Sequence, residues 1–289
     1  MRSALIRIII GFIAVALPVV AVQWLVRQLP LPRPVAVASA ALLGAAVAYL
    51  IYRAYVRLME KRELFEFGRE GALSELAAGL VLGTALFASA IGILALLGSY
   101  RVTAAGTLSD LAVPLAAAIG AGVIEEIVFR GLIFRITEQS LGTLWALAIS
   151  AVLFGLIHLI GPSTTTYAAI AIIFEAGILL AAAFVLTRRL WLCIGTHVAW
   201  NFTQGGIFGV AVSGRPSRGL LRGTLTGPEF LTGGTFGVEA SIVAIVLCVS
   251  VAAVLLLVAR RQNRFVLPFW RARAERSAGS ARAESTVPD

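Results

Sequence analysis

The sequence predicts an all-α fold: a polytopic transmembrane bundle of about eight helices. Three observations carry that prediction. Apolar residues make up 59% of the 289 positions and charged residues only 13%, with a mean hydropathy of +0.93. That is more apolar surface than one soluble core of this length can hide. The apolar residues fall in runs of about 20, the length a helix needs to cross roughly 30 Å of hydrocarbon. Arginines gather at alternate ends of those runs, the pattern expected of cytoplasmic loops.

The spans are expected at Leu5 to Val26, Val35 to Val56, Ser74 to Leu97, Leu108 to Phe134, Gly142 to Ile160, Thr165 to Leu186, Leu190 to Val212 and Val238 to Ala259. The first, preceded by Arg2 and overlapping Arg7, partly resembles a signal peptide. Its apolar stretch is too long for a typical h-region, so it reads as a retained helix. Between the second and third spans, Tyr55 to Glu70 alternates charges with Leu58, Met59, Leu64, Phe65 and Phe67, which predicts a helix lying at the membrane surface. Gly79 and Gly83 in the third span form a small-xxx-small pair suited to close helix contact. Cys193 and Cys248 fall in apolar segments and suit neither a disulfide framework nor a paired-cysteine metal motif.

With eight spans both termini share a side, and that side holds 18 of the 24 Lys and Arg residues. Both termini are therefore expected in the cytoplasm, in a multi-pass protein of the cell membrane. The net charge of +9 then reflects topology rather than nucleic-acid binding, because basic residues are spread over every cytoplasmic segment. No repeat or linker divides the chain, so residues 1–260 are expected to form one transmembrane domain. Residues 261–289 are expected to form a basic cytoplasmic tail, whose Phe265, Phe269 and Trp270 suit an anionic lipid surface.

Chemistry is concentrated in three strings inside the spans, where an ionisable group costs about 2.5–3.5 kcal/mol or more. The first is Glu125-Glu126-Ile127-Val128-Phe129-Arg130. Glu126 and Arg130, four apart, fall on nearly one helical face and can pair, which leaves Glu125, turned 100° away, as the candidate general base. The plainer reading is an ion pair that locks the helix to a neighbour. The second string, Phe154 to His158, offers an imidazole that is either a structural hydrogen-bonding group or part of a site. In the third, His197 and Asn201 share a face at i, i+4 spacing and can form an interhelical pair or face a substrate. Together the strings supply a base, its positioning partners and an oxyanion donor, the inventory of a hydrolase that uses water as nucleophile.

Glu-Glu-x-x-x-Arg, then Phe-x-x-x-His, then His-x-x-x-Asn, each in its own span, resembles the CAAX protease and bacteriocin-processing family of intramembrane proteases, also called Abi or Rce1-like. The resemblance covers roughly Leu108 to Phe202. It implies an endopeptidase of eight helices around a membrane cavity, acting on a peptide or membrane-protein substrate. By motif it makes Glu125 the activating base, His158 its partner in holding the water, and His197 with Asn201 the oxyanion-stabilising pair, supported by Glu126 and Arg130. One departure is visible: members often carry Thr-Gly-Ser-Leu-Trp before the last histidine helix, where this chain reads Thr187-Arg188-Arg189-Leu190-Trp191.

Glutamate-activated water needs no metal, and no cofactor is expected. The alternative is a zinc-dependent metalloprotease with Glu125, His158 and His197 as ligands, although the His-Glu-x-x-His spacing is absent. An aspartyl dyad lacks its residues, since only Asp110 and Asp289 occur. A serine mechanism through Ser163 leaves Glu125, Glu126 and Arg130 without a role. A proton-coupled transporter using Glu175, or a noncatalytic membrane scaffold or immunity protein, are the rival classes. Membrane lipid is an expected partner and nucleic acid is not. The ratio of 23 arginines to one lysine hints at a GC-rich bacterial genome, and hence at a bacterial peptide or membrane protein as substrate.

Overall fold

The computed structural model describes residues 4–161 and 163–271; most of the predicted tail, residues 272–289, lies outside them. Helix α1 (Ala4–Gln28) stops at the Leu29-Pro30-Leu31-Pro32 turn, and α2 (Arg33–Tyr55) starts with a proline in its first turn, where a missing N–H costs nothing. Helix α3 (Ala72–Leu96) ends at Gly98, whose φ of +74° turns the chain out of the helix. Helix α4 (Ala112–Glu126) passes into a π-helical stretch, Ile127–Phe134, and then into α5 (Arg135–His158).

Among the described residues, six helical stretches are long and apolar enough to cross a membrane, and the count of eight is recovered by two refinements. The stretch Leu108–His158 is two legs. Its axis breaks at Gly142 (φ +77°), and the second leg doubles back so that Ser150 Oγ donates to Phe129 O at 3.2 Å. The second refinement is α8 (Trp191–Phe202), with its π-helical continuation Thr203–Ile207: too short to count by length, it is enclosed by its neighbours. The seventh run therefore ends as helix at Ile207, before the expected Val212. The sixth run is α6 (Thr166–Ile172), a π turn Ile173–Gly177 and α7 (Ile178–Thr187). After the short α9 (Glu229–Thr232), the last span is α10 (Ile242–Arg261).

Two further differences have physical reasons. The all-α prediction omits a two-stranded antiparallel sheet, β1 (Tyr100–Ala105) with β2 (Leu221–Leu225), which pairs the loops at one end of the bundle. Its partners lie more than a hundred residues apart, so no local hairpin signal marks it. The surface helix expected between Tyr55 and Glu70 is replaced by a π turn, Val56–Glu60, and a 3-10 turn, Phe65–Phe67. Here long-range ion pairs override amphipathic periodicity. Glu66 is buried against Arg62 at 2.8 Å and Arg135 at 2.9 Å, and Glu60 against Arg7, Arg62 and Arg135.

Glycines set how closely the site-bearing helices approach. A Cβ on Gly79 would lie 2.4 Å from Leu192 O, and one on Gly83 would lie 2.2 Å from Thr196 O, so α3 lies backbone to backbone on α8. A Cβ on Gly122 would lie 2.7 Å from the Val198 side chain of α8, while Gly120 meets Ala41 of α2. Helix α4 is thus wedged between α2 and α8, which brings Glu125 and Glu126 up to His197. Replacement of Gly83 by Ala should cost roughly 1–3 kcal/mol through overpacking and lower the thermal-unfolding midpoint in detergent. Gly92→Ala, in the same helix with nothing within 4 Å of the added carbon, should leave the midpoint unchanged or raised.

Candidate active site

Glu125 and Glu126 end α4, where the chain enters its π-helical stretch, and the two carboxylates diverge as the helical geometry demands. Glu126 is fully buried and accepts from Arg130 Nη1 at 3.0 Å. Arg130, equally buried, donates through Nη2 to Ala176 O at 3.1 Å and Gly177 O at 3.0 Å, and its guanidinium lies 4.6 Å from the centre of the Phe154 ring. These bonds join α4 to the wide turn between α6 and α7. Wide π turns of this kind disturb the regular ladder and recur at functional sites.

His197 on α8 completes the chain of contacts. Its Nδ1 lies 2.9 Å from Glu126 Oε1, while Nε2 faces Glu125 Oε2 at 3.9 Å. An Nδ1–H donated to Glu126 fixes the ring with Nε2 toward Glu125. Glu125 itself is 30% exposed, on the wall of a cavity of about 970 Å3 whose lining also includes His158, His197 and Asn201. His158 stands further along that wall, at the end of α5. Its Nδ1 is 2.7 Å from Phe154 O, and Phe154 lies between the imidazoles, with ring centres 5.0 Å from His158 and 6.2 Å from His197.

All six residues singled out in the sequence therefore belong to one region. Glu125, Glu126, Arg130 and His197 form a continuous polar chain, and His158 and Asn201 share the cavity without touching it. His197 is held by Glu126, not by Asn201. Among the described residues, no group of three or more His, Cys, Asp or Glu side chains converges as metal ligands. The trio that a zinc site would require does not fit one as it is arranged, because His158 stands apart.

The unusual turn before α8 keeps its shape without glycine. Arg188 adopts the left-handed conformation (φ +61°) and pairs with Glu138, and Arg189 Nε donates to Glu75 Oε1 at 2.9 Å. Each pair ties the turn to another helix.

Sequence reasoning missed Glu239 and Ser213. Both line a smaller pocket beside His158, His197 and Asn201, into which Glu175 also faces. Glu239 Oε2 accepts from Ser213 N at 2.9 Å and from its Oγ at 3.2 Å, which fastens the loop after α8 to the turn Val238–Ala240. An acidic residue at the edge of an apolar run was the available signal. Glu239 precedes the spanning helix, and burial pushes its carboxyl up to about 7, against the pull of the Ser213 bonds. A carboxyl raised on folding contributes stability below its ordinary 4.5 that is lost as pH climbs through about 7. The unfolding midpoint should therefore fall across that window, and Glu239→Gln should flatten the dependence.

Comparison with known proteins agrees with the motifs. Residues 107–203 match the family described as "Type II CAAX prenyl endopeptidase Rce1-like". The chain is 29% identical over 114 residues to "Putative membrane peptidase YdiL" of Bacillus subtilis (strain 168), a match covering 39% of this chain and 42% of that protein. The chain thus aligns with about two fifths of the curated relative's length. No solved structure matches. Through residues 107–203 the chain is thus similar to Rce1-like CAAX prenyl endopeptidases, the resemblance that its motifs suggest.

Proposed function

We propose that this protein is an intramembrane endopeptidase that hydrolyses a peptide bond with water activated by Glu125. The observation that carries the proposal is the buried chain Arg130–Glu126–His197, which presents the imidazole to Glu125 on the wall of a cavity large enough for an extended peptide. A base must face the reacting water, and a group that orients it must be held from behind. Glu125 is exposed to the cavity while Glu126 is committed to Arg130 and His197.

In the proposed reaction Glu125 takes a proton as the water oxygen bonds to the scissile carbonyl carbon. The proton then passes to the leaving nitrogen as the C–N bond breaks. His158 donates Nδ1–H to its own helix, so its Nε2 lone pair is free to accept a hydrogen bond from the water. Asn201, and His197 when Nε2 carries a proton, supply donors for the oxyanion. No metal is required by this scheme, zinc being the alternative that chelation tests. The substrate is proposed to be a bacterial peptide or membrane protein, with both termini of the enzyme in the cytoplasm.

The experiment uses purified protein in lipid and a library of membrane peptides. Glu125→Gln and His158→Ala should each lower cleavage by about 10²–10⁴-fold, and Asn201→Ala by about 10²–10³-fold, with no effect of a chelator. Cleavage that survives both Glu125→Gln and His158→Ala would overturn the assignment of the site, and loss on chelation would overturn the metal-free scheme. Proton-coupled uptake into liposomes that is lost in Glu175→Gln would instead favour transport.

A further inference from the structure

A second cavity, of about 680 Å3, lies at the arginine-rich end of the bundle, away from the candidate active site. Six arginines and two glutamates line it, together with Tyr49, Phe65 and Phe67. Three of the arginines are committed elsewhere: Arg62 to Glu66 and Glu60, Arg188 to Glu138, and Arg189 to Glu75. Among the described residues, Arg53, Arg57 and Arg69 have neither an ion pair nor a side-chain hydrogen bond, and the cavity's two glutamates, Glu63 and Glu70, pair with none of them. Three free guanidinium groups against two carboxylates leave the lining with an excess of positive charge, to which Arg62 adds because Glu60 and Glu66 are shared with Arg7 and Arg135.

We infer that this cavity binds a phosphate-ester monoanion, as presented by the headgroup of an anionic glycerophospholipid. A phosphodiester offsets that excess, and planar guanidinium forks match phosphate oxygens better than any other side chain does. The position suits a lipid. Leu58, Met59 and Phe65 on the same segment are largely exposed (73%, 48% and 62%), which sets an apolar surface for acyl chains beside a cationic pocket at headgroup level. The pocket joins the end of α2, the Val56–Phe67 turns and the turn before α8, so an occupant would brace the turn from which α8 carries His197.

The test places the full chain in nanodiscs of phosphatidylcholine with and without phosphatidylglycerol, extracts it into detergent, and counts retained lipid by native mass spectrometry. A parallel arm titrates glycerophosphoglycerol, the water-soluble diester of the same headgroup, against protein in phosphatidylcholine alone, read by fluorescence of Trp191, which packs on Phe67 with ring centres 5.3 Å apart. Substitution of Arg53, Arg57 and Arg69 together by Gln should weaken binding at least about tenfold, and Arg57→Gln alone, at an exposed position, should weaken it about fivefold. Dependence on these arginines in the lipid arm identifies a headgroup, and dependence only in the soluble arm identifies a free phosphate ester. Absence of such dependence in both arms overturns the proposal. So does an equal loss in Arg260→Gln/Arg261→Gln, because binding would then follow the general basicity of that face.

Discussion

The constraint on which the rest of the structure depends is the burial of Arg130 with Glu126. Two opposite charges removed from water in a bundle this apolar are tolerated only when they pair with each other and draw further polar partners, and here those partners serve all but Glu126 Oε2 and Arg130 Nε. Glu126 Oε1 serves both Arg130 and His197, while Arg130 spends its second terminal nitrogen on two carbonyls of the α6–α7 turn and its face on Phe154. Three separate stretches of chain are thereby fixed around one ion pair. Removal of either charge leaves the other stranded, so the pair holds the whole arrangement and is not a local clasp.

Close backbone contact makes the arrangement possible. An imidazole can reach a glutamate on another helix only if the two axes are near, and here glycine supplies the nearness: Gly122 on α4 faces Val198, and Gly79 and Gly83 on α3 seat α8 from the other side. A π-helical stretch contributes as well. Straight helices of 1.5 Å rise would set Glu125, His158 and His197 at about 15, 24 and 10 Å from the arginine-rich end, which does not bring them together. Of the wide turns, Ile127–Phe134 is the one that lies between the arginine-rich end and a site residue, Glu125, and its wider coil shortens the advance per residue there. Glu125 and His197 meet, and His158 remains further along the cavity.

The spans were legible because lipid imposes length and composition on a helix directly, and the Glu126–Arg130 pair was legible because i, i+4 spacing is a property of one helix. What the sequence hid depends on contacts between distant segments. No local pattern tells His197 to choose Glu126 over Asn201, pairs Tyr100–Ala105 with Leu221–Leu225, or folds Glu239 back onto Ser213. The stretch Tyr55–Glu70 shows the same limit in reverse: its periodicity is that of a surface helix, yet buried ion pairs of Glu60 and Glu66 break it into turns.

The central claim is that Glu126 and Arg130 act as one unit holding His197. A double-mutant cycle on unfolding free energy with Glu126→Leu and Arg130→Met tests it most directly. Each single change should cost about 3–5 kcal/mol by stranding a buried charge, while the double variant, with both charges gone, should recover much of that loss. Additive losses in the double variant would contradict the account, because they would mean that the two side chains stabilise the fold independently.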